Sequence, residues 1–526
     1  MELISKINLS SITQFNLSHL ILALIIWLLL IYKKPVRILF GLLDLLKLLI
    51  DTKQCGWRVV KDKYNNDEEW SILHNWEARV KKTPDRPFLQ LVTKSDDDEH
   101  KSATVEDKNR NVIDPSTLTF RETDILSDRI SCVFYTQLLC NVMDHCNDDD
   151  LMHTSSDSPP VVALLLPSSP FFVACYLGLV KAGACGGLIN TNLRGKALAH
   201  AIRLALDSNP QTDSDSGKLQ TKYPCILVVQ DGILLDRIND FDVRQVLKEL
   251  KVKILVKEGD QSTSLTQASS KNDERIQLTR EEYQSFDKLL TLINISKSKS
   301  ILSTMKSKPI HKPRWNSNFF YIFTSGTTGG LAKASIIKHI RYRISGALFS
   351  ICARLTPEDK VYTALPFYHS VAAMIGVCGC ILSGACMVIK PKFSASEFAS
   401  DLVKYECTII QYIGEFARYT LAAKSSEAEK VLRERRKQKS QFWNLSNFIW
   451  NRKKWNGVRV AFGNGMRPEV WQSFQDRFGI GDIIEFCEFL YYLVIYNSHQ
   501  FFCILTKYSV SISFSNKMGQ QKEMQI

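Results

Sequence analysis

The sequence predicts a layered α/β protein, on three observations. Short apolar runs suited to buried parallel strands recur along the chain, beginning with VVALLLP at 161–167. Segments of helical character stand beside several of them, which points to sheets flanked by helices rather than to a sandwich. One apolar run, FFYIF at 319–323, leads straight into the small and hydroxyl residues Thr324 to Gly330, with Lys333 just beyond.

Taken in order, the chain begins with an uninterrupted apolar run from Leu20 to Tyr32. Phe15 to His19 extend it toward the roughly 20 residues that cross a bilayer. Trp27 and Tyr32 fit interfacial anchors, and Lys33, Lys34 and Arg37 favour a cytosolic carboxyl-terminal side. A cleaved signal peptide is disfavoured by Glu2 and by the lack of a small-x-small site. A buried core helix is the other alternative. Residues 36–50 are apolar on most faces and fit a membrane-surface helix, so 1–50 is expected to form an anchor with its juxtamembrane helix.

Residues 94–115 and 146–158 are rich in Asp, Ser, Lys and Asn and are expected to be solvated loops. After the strand at 161–167, Phe171 to Ala182 is helical and meets Gly183, a residue suited to ending a helix. A strand over Ala184 to Ile189 then completes a βαβ unit. Ala197 to Leu206 follows as a helix with Leu198, Ile202 and Leu206 on one stripe. Further strands are expected at 225–229, 252–256, 319–323, 361–365, 386–390, 407–413 and 458–462. The polar stretches 257–314 and 422–456 are expected to be an irregular connection and a basic insertion.

Composition narrows the function classes. The 526 residues are 45 % hydrophobic, enough for sizeable cores in more than one unit. A net charge of +13 is scattered, with local density at Arg433, Arg435, Arg436, Lys437 and Lys439. No zinc-finger spacing or aromatic-interleaved basic stripe accompanies it, so nucleic acid is not an expected partner. The basic run reads as a solvated helix face, with anionic lipid as an alternative contact. The 14 cysteines are dispersed and contain no C-x-x-C, which fits reduced, buried thiols in a cytosolic body.

The segment T-S-G-T-T-G-G-L-A-K at 324–333 carries the chemistry. Small residues let backbone amides approach an anion, hydroxyls add donors, and a lysine adds charge. It is not a Walker A loop, because Leu331 stands where G-x-x-x-x-G-K-[ST] requires its second glycine.

This segment resembles the phosphate loop of adenylate-forming enzymes. LINTNLRGKALAHAI (188–202), ALPFYHSVAAMIGV (364–377), TIIQYIGEFARYTL (408–421) and VRVAFGNGMRPEVWQSFQDRFGI (458–480) resemble its fatty acid transport protein, or very-long-chain acyl-CoA synthetase, branch. The resemblance implies the large amino-terminal domain of that fold over residues 70–486, built as two layered α/β subdomains behind a transmembrane helix. It further implies activation of a long-chain or very-long-chain fatty acid by ATP with Mg2+, through an acyl-adenylate, and transfer to coenzyme A. Thr324, Ser325, Gly326, Thr327, Thr328 and Gly329 would hold the outer phosphates, with Lys333 nearby. Gly463, Asn464 and Gly465 would lie against the adenine, a strand-to-turn role being the alternative. Tyr368 and His369 would line the acyl and adenylate pocket, core packing being the alternative. Gln411, Tyr412, Gly414 and Glu415 match a family motif of less clear role. No metal ligand is assigned. The endoplasmic reticulum membrane is the expected location, ahead of plasma membrane and peroxisome, and a homo-oligomer is left open.

Two departures stand out. The family pattern T-S-G-T-T-G-x-P-K has one residue fewer, so Lys333 is expected to be displaced by about 3 Å of chain. After Phe486 the family continues with Tyr-Gly-x-Thr-Glu, whereas this chain reads CEFLYYLV and onward to Ile526. Residues 487–526 are therefore expected to be a non-family tail, resembling intron or alternative-exon sequence, in a chain without the small carboxyl-terminal domain. A non-catalytic binding or regulatory isoform is the alternative reading. Purified residues 1–526, given oleate, ATP and coenzyme A, are expected to release AMP weakly or not at all; robust oleate-dependent release would overturn this.

Overall fold

The computed structural model describes residues 71–93, 116–139, 158–207, 211–213, 219–221, 223–258, 283–293, 295–324, 332–440, 457–485 and the short strands within 493–525. All fall in the second of two units, Asp62–Ile526. The expected anchor at 1–50 lies outside them, as do the loops at 94–115 and 146–157. Among the described residues no helix is long and apolar enough to cross a membrane.

The first third supplies α1 (Ile72–Lys82), β1 (Pro87–Leu91), β2 (Thr117–Thr119), α2 (Phe120–Leu139), β3 (Val161–Leu165), α3 (Pro170–Lys181), β4 (Cys185–Leu188) and α4 (Gly195–Leu206). The β3–α3–β4 segment is the expected βαβ unit, with β3 and β4 parallel. Ser169 caps α3 by accepting from the Phe172 amide, with Pro170 at the first position. Gly183 follows at φ +77°, where a Cβ would press on the His311 backbone. Leu198, Ile202 and Leu206 of α4 are buried, as their spacing requires.

A small hairpin, β5 (Gln211–Asp213) with β6 (Leu219–Thr221), precedes β7 (Ile226–Gln230), α5 (Ile233–Ile238), α6 (Phe241–Glu249) and β8 (Lys253–Lys257). Next come β9 (Tyr283–Ser285), α7 (Phe286–Leu292), α8 (Ile295–Ser307), β10 (Asn318–Thr324), β11 (Lys333–Lys338) and α9 (His339–Cys352). The last part holds β12 (Lys360–Thr363), a π-helix (Val371–Gly376), α10 (Val377–Ser383), β13 (Cys386–Ile389), α11 (Phe398–Lys404) and β14 (Ile409–Ile413). It closes with α12 (Gly414–Ala422), α13 (Glu427–Ser440), β15 (Val460–Asn464), α14 (Pro468–Arg477) and β16 (Asp482–Glu485).

Two seven-stranded sheets result. One runs β11-β10-β4-β3-β7-β8-β9 and the other β16-β15-β14-β12-β13-β1-β2. Each is parallel except at one edge, where β11 and β2 pair antiparallel. Both faces are covered: Val161, Ala163 and Leu165 enter one apolar cluster, while Val162 and Leu164 enter another that reaches the second sheet at Val361, Ile409 and Phe462. Residues 493–497 with 500–504 and 511–515 with 521–525 form two separate antiparallel hairpins.

Two expectations are corrected. The stretch 257–314 is not irregular throughout, because β9, α7 and α8 occupy much of 283–307. Phe286 and Leu290, spaced i and i+4, bury into the main core, where Phe286 meets Phe134 and Phe171 edge-on. The Lys/Ser average of the segment concealed that stripe. Likewise, the basic run lies on a helix as expected, α13 (Glu427–Ser440), but that helix is not a wholly solvated face. Its Leu432 is buried, and its Glu429 pairs at 2.8 Å with Arg477 of α14. Arg477 also donates to the carbonyls of Leu421 and Ala423. Arg433 and Arg436 of the basic run donate to backbone carbonyls at the end of α14.

The free cysteines among the described residues are buried, apart from the half-buried Cys352. Burial pushes the Cys175, Cys378 and Cys407 thiols up, which makes them poor nucleophiles.

The Glu429–Arg477 pair yields a stability prediction. Its side chains are 3 % and 16 % exposed, so Glu429→Ala leaves a buried guanidinium uncompensated and should cost about 3 kcal/mol in urea unfolding. Lys430→Ala, which breaks only the exposed Glu427 pair, should stay within about 0.5 kcal/mol.

Candidate active site

Parallel strands covered on both faces leave their carboxyl ends as the place where side chains and backbone can meet a ligand. In the first sheet the β10–β11 hairpin closes on Thr324 opposite Lys333. Lys333 is exposed and stands opposite Thr324 at the neck of the loop. Ser325, Gly326, Thr327, Thr328 and Gly329 lie outside the described residues, and Thr324 is described by its backbone. The return limb is tied to α4, where His200 Nε2 lies 3.0 Å from the Ala332 carbonyl.

The Phe367–Tyr368–His369 segment follows β12 of the second sheet and joins the first. The Phe367 amide donates to Ser168 Oγ at 3.0 Å, just past β3. Asn192 Nδ2, just past β4, donates to the Tyr368 hydroxyl at 2.9 Å. Tyr368 is buried, and burial raises its phenol pKa. His369 is exposed and its ring packs on Tyr368 at a centroid separation of 4.7 Å. The two residues expected together are thus neighbours with different roles, one spanning the rim and one facing outward.

A π-helix, Val371–Gly376, comes immediately after. Gln411 Nε2 donates to the Val371 carbonyl at 3.1 Å. A Cβ at Gly376 would lie 2.6 Å from Gln411 Oε1, so the glycine makes room for the amide. Single π-turns of this kind recur at functional sites.

Beside it, the ends of β14, β15 and β16 carry Tyr412, Gly463 and Glu485 in register. Gly463 and Asn464 complete β15, and Gly465 turns the chain at φ +73°. A side chain at Gly414 would strike the Gly465 carbonyl, so the two glycines meet backbone to backbone. Asn464 Oδ1 is buried without a hydrogen-bond partner, leaving an acceptor at the rim. Glu485 Oε1 accepts from the Met466 amide at 2.6 Å and from the Tyr412 hydroxyl at 3.1 Å, fixing the turn. Sequence reasoning missed Glu485, and its signal was a carboxylate closing the apolar strand just before the family pattern breaks.

Burial raises the Glu485 carboxyl above the ordinary glutamate value of 4.5. A raised carboxyl favours folding when protonated, and that contribution is lost as pH rises through the folded value. Glu485→Gln keeps an acceptor for both donors without a charge. It should gain stability relative to the parent at neutral pH, and the gain should vanish near pH 4. Glu485→Leu leaves both donors unpaired and should cost about 1–3 kcal/mol per buried donor. Thermal unfolding of both variants at the two pH values checks this.

The model of the family described as AMP-binding enzyme matches residues 154–486. The human long-chain fatty acid transport protein 6 is 29 % identical over 409 residues, covering 78 % of this chain and 48 % of the relative. The human long-chain fatty acid transport protein 1 is 32 % identical over 338 residues, covering 62 % and 40 %. The chain thus spans about half the length of the curated relatives it matches or less. Among solved structures, the anthranilate CoA ligase AuaEII in complex with anthranoyl-AMP is similar at a TM-score of 0.50 and 16 % identity, over 79 % of this chain and 60 % of the other. That likeness concerns the fold: two α/β sheets in the arrangement of adenylate-forming enzymes. With the family model matched over more than half its length, the chain belongs to the AMP-binding enzyme family.

Proposed function

We propose that the protein is a long-chain or very-long-chain fatty acid–CoA ligase of the AMP-forming type, acting also in fatty acid transport. The observation that carries this is the T-S-G-T-T-G segment, which in sequence links β10 to β11 past the carboxyl end of β10 in the first sheet. Similarity to long-chain fatty acid transport proteins supports the substrate class. In the first step a fatty carboxylate oxygen bonds to the α-phosphorus of ATP and the bond to pyrophosphate breaks. In the second, the coenzyme A thiolate attacks the acyl carbon and AMP leaves.

In this reading Thr324 to Gly329 hold the β- and γ-phosphates with Lys333 at the loop's neck, where fixed donors stabilise the charge that develops on the leaving group. Gly463, Asn464 and Gly465 face the adenine, and the unpartnered Asn464 Oδ1 suits its exocyclic amine. Tyr368 closes the acyl and adenylate pocket with His369 at its outer edge. Among the described residues no group of three His, Cys, Asp or Glu side chains gathers to hold a metal. Mg2+, where it takes part, would supply charge neutralisation on the nucleotide phosphates. The anchor expected at Leu20 to Tyr32 would hold the body on the cytosolic side of the endoplasmic reticulum membrane.

A second reading, a fatty-acid or nucleotide binder without turnover, is favoured by residues 487–526, which lack the Tyr-Gly-x-Thr-Glu pattern. ATP binding followed by calorimetry tests the shared premise. The chain should bind ATP, and Thr327→Ala with Thr328→Ala should weaken it about tenfold, as loss of donors to a charged ligand requires. Oleate-dependent exchange of labelled pyrophosphate into ATP then favours the ligase. ATP binding without exchange favours the binder, and no ATP binding overturns both.

A further inference from the structure

The helix α9 (His339–Cys352) is apolar on two opposite faces. One face packs into the core, where His339, Tyr342, Gly346 and Phe349 are buried at i, i+3, i+7 and i+10. The other carries Ile340, Ile344, Ala347, Leu348 and Ile351, at i, i+4, i+7, i+8 and i+11. None of these five is buried, and Ile344 is 39 % exposed. Nor does any of them join one of the three apolar clusters among the described residues. A helix on the outside of a globular body ordinarily turns polar groups to water, so an outward apolar stripe marks a contact surface.

Its surroundings are cationic. No aspartate or glutamate stands between Asp287 and Glu358. The turn before β10 closes on the start of α9, where the Ile340 amide donates to the Trp315 carbonyl at 2.9 Å and the His339 amide to the Ser317 carbonyl at 3.1 Å. That turn brings the exposed Arg314 to this end of the stripe, together with Lys338, whose ammonium donates to Asn316 Oδ1 at 2.7 Å. Arg341 follows on the flank of α9 itself, half-exposed. The Ile72 amide donates to His339 Nδ1 at 3.5 Å, so the chain leading from residues 1–50 joins the α/β body at the same corner. It does so through α1, whose first turn has no acidic residue either.

An apolar stripe flanked by cations and free of carboxylates has the chemistry of a helix lying in the plane of an anionic bilayer. The apolar side chains meet the acyl boundary and the cations meet the headgroups. A second copy of this chain would bring like charge against Arg314, Lys338 and Arg341, which disfavours a self-complementary contact at this patch. We propose that the outward face of α9, with Arg314, Lys338 and Arg341 beside it, is a docking surface for an anionic lipid bilayer. The contact is made by the α/β body and is separate from the anchor expected at Leu20 to Tyr32. Two points of attachment fix the orientation of the body on the membrane, where one would leave it free to turn. The inference does not depend on the ligase reading.

Photocross-linking of the full chain on lipid vesicles tests it. A benzophenone side chain is placed at Ile344 or, as a control, at Phe241, which is 80 % exposed on α6. The vesicles are phosphatidylcholine with or without phosphatidylserine, and flotation reports whether the chain is on them. With phosphatidylserine present, the probe at 344 should cross-link lipid at least about fivefold more than the probe at 241, and Arg314→Gln and Arg341→Gln should each lower that yield about fivefold, the loss expected for one cation at an anionic surface. Leu348 carries the probe if the chain labelled at 344 does not keep the parental melting temperature. Flotation with lipid cross-linking at 344 no greater than at 241 overturns the proposal and leaves the anchor standing. Cross-links from 344 to residues 36–50 or to a second copy also overturn it, since they name a different cover for the stripe. A yield that both arginine variants leave unchanged overturns it as well. No flotation on either kind of vesicle overturns the docking surface and the anchor together.

Discussion

In both large sheets the strands carry buried residues on both faces, from Val161–Leu165 in one to Ile409–Tyr412 in the other. The cluster between the sheets runs without a break from Leu164 and Val228 to Val361, Ile409 and Phe462. Central strands covered in this way, such as Val161–Leu165 and Ile226–Val229, offer no free face to a ligand. What remains is the rim at their carboxyl ends, where the Gly414–Gly465 contact and the unpartnered Asn464 Oδ1 lie. Loops at the opposite end are closed instead by structural pairs such as Asp359 with Arg459, at 2.7 Å.

The rim is assembled by backbone fit as much as by side chains. Gly414 against Gly465 and Gly376 against Gln411 are contacts that a single methyl group would abolish. Glu485 then fixes the Gly465 turn through Met466, at the expense of keeping a carboxyl among apolar neighbours. Phe367 and Tyr368 reach from one sheet to Ser168 and Asn192 of the other. Their hydrogen bonds bring residues some 180 positions apart into a common site.

Much of this was legible in the residue order. Continuous apolar runs marked β3, β7, β8, β10 and β14 because a strand buried on both faces must be apolar at consecutive positions. The helix α4 was legible from its stripe at i, i+4 and i+8. The helix α7 was not, since its few apolar residues lie in a segment dominated by lysines and serines, and α13 was legible as a helix face but not in its inward packing through Leu432 and Glu429. The π-turn at Val371–Gly376 has no sequence period of its own. The contact of Glu485 with the Met466 amide is a product of strand order, which a single chain does not spell out. The T-S-G-T-T-G segment was legible from its residues, and the hairpin register bounds it at Thr324 and Lys333.

That register has a consequence for how the loop can vary. Thr324 and Lys333 face each other as the last pair of the hairpin, so the eight residues between them are joined at a fixed mouth. A residue gained or lost between them changes the length of the turn and leaves the strands where they are. Loop closure scales with the logarithm of length, so seven residues against eight differ by only about 0.1 kcal/mol. The extra residue relative to the family pattern is therefore nearly neutral for folding. A change of length in this turn is one that the two strands themselves tolerate.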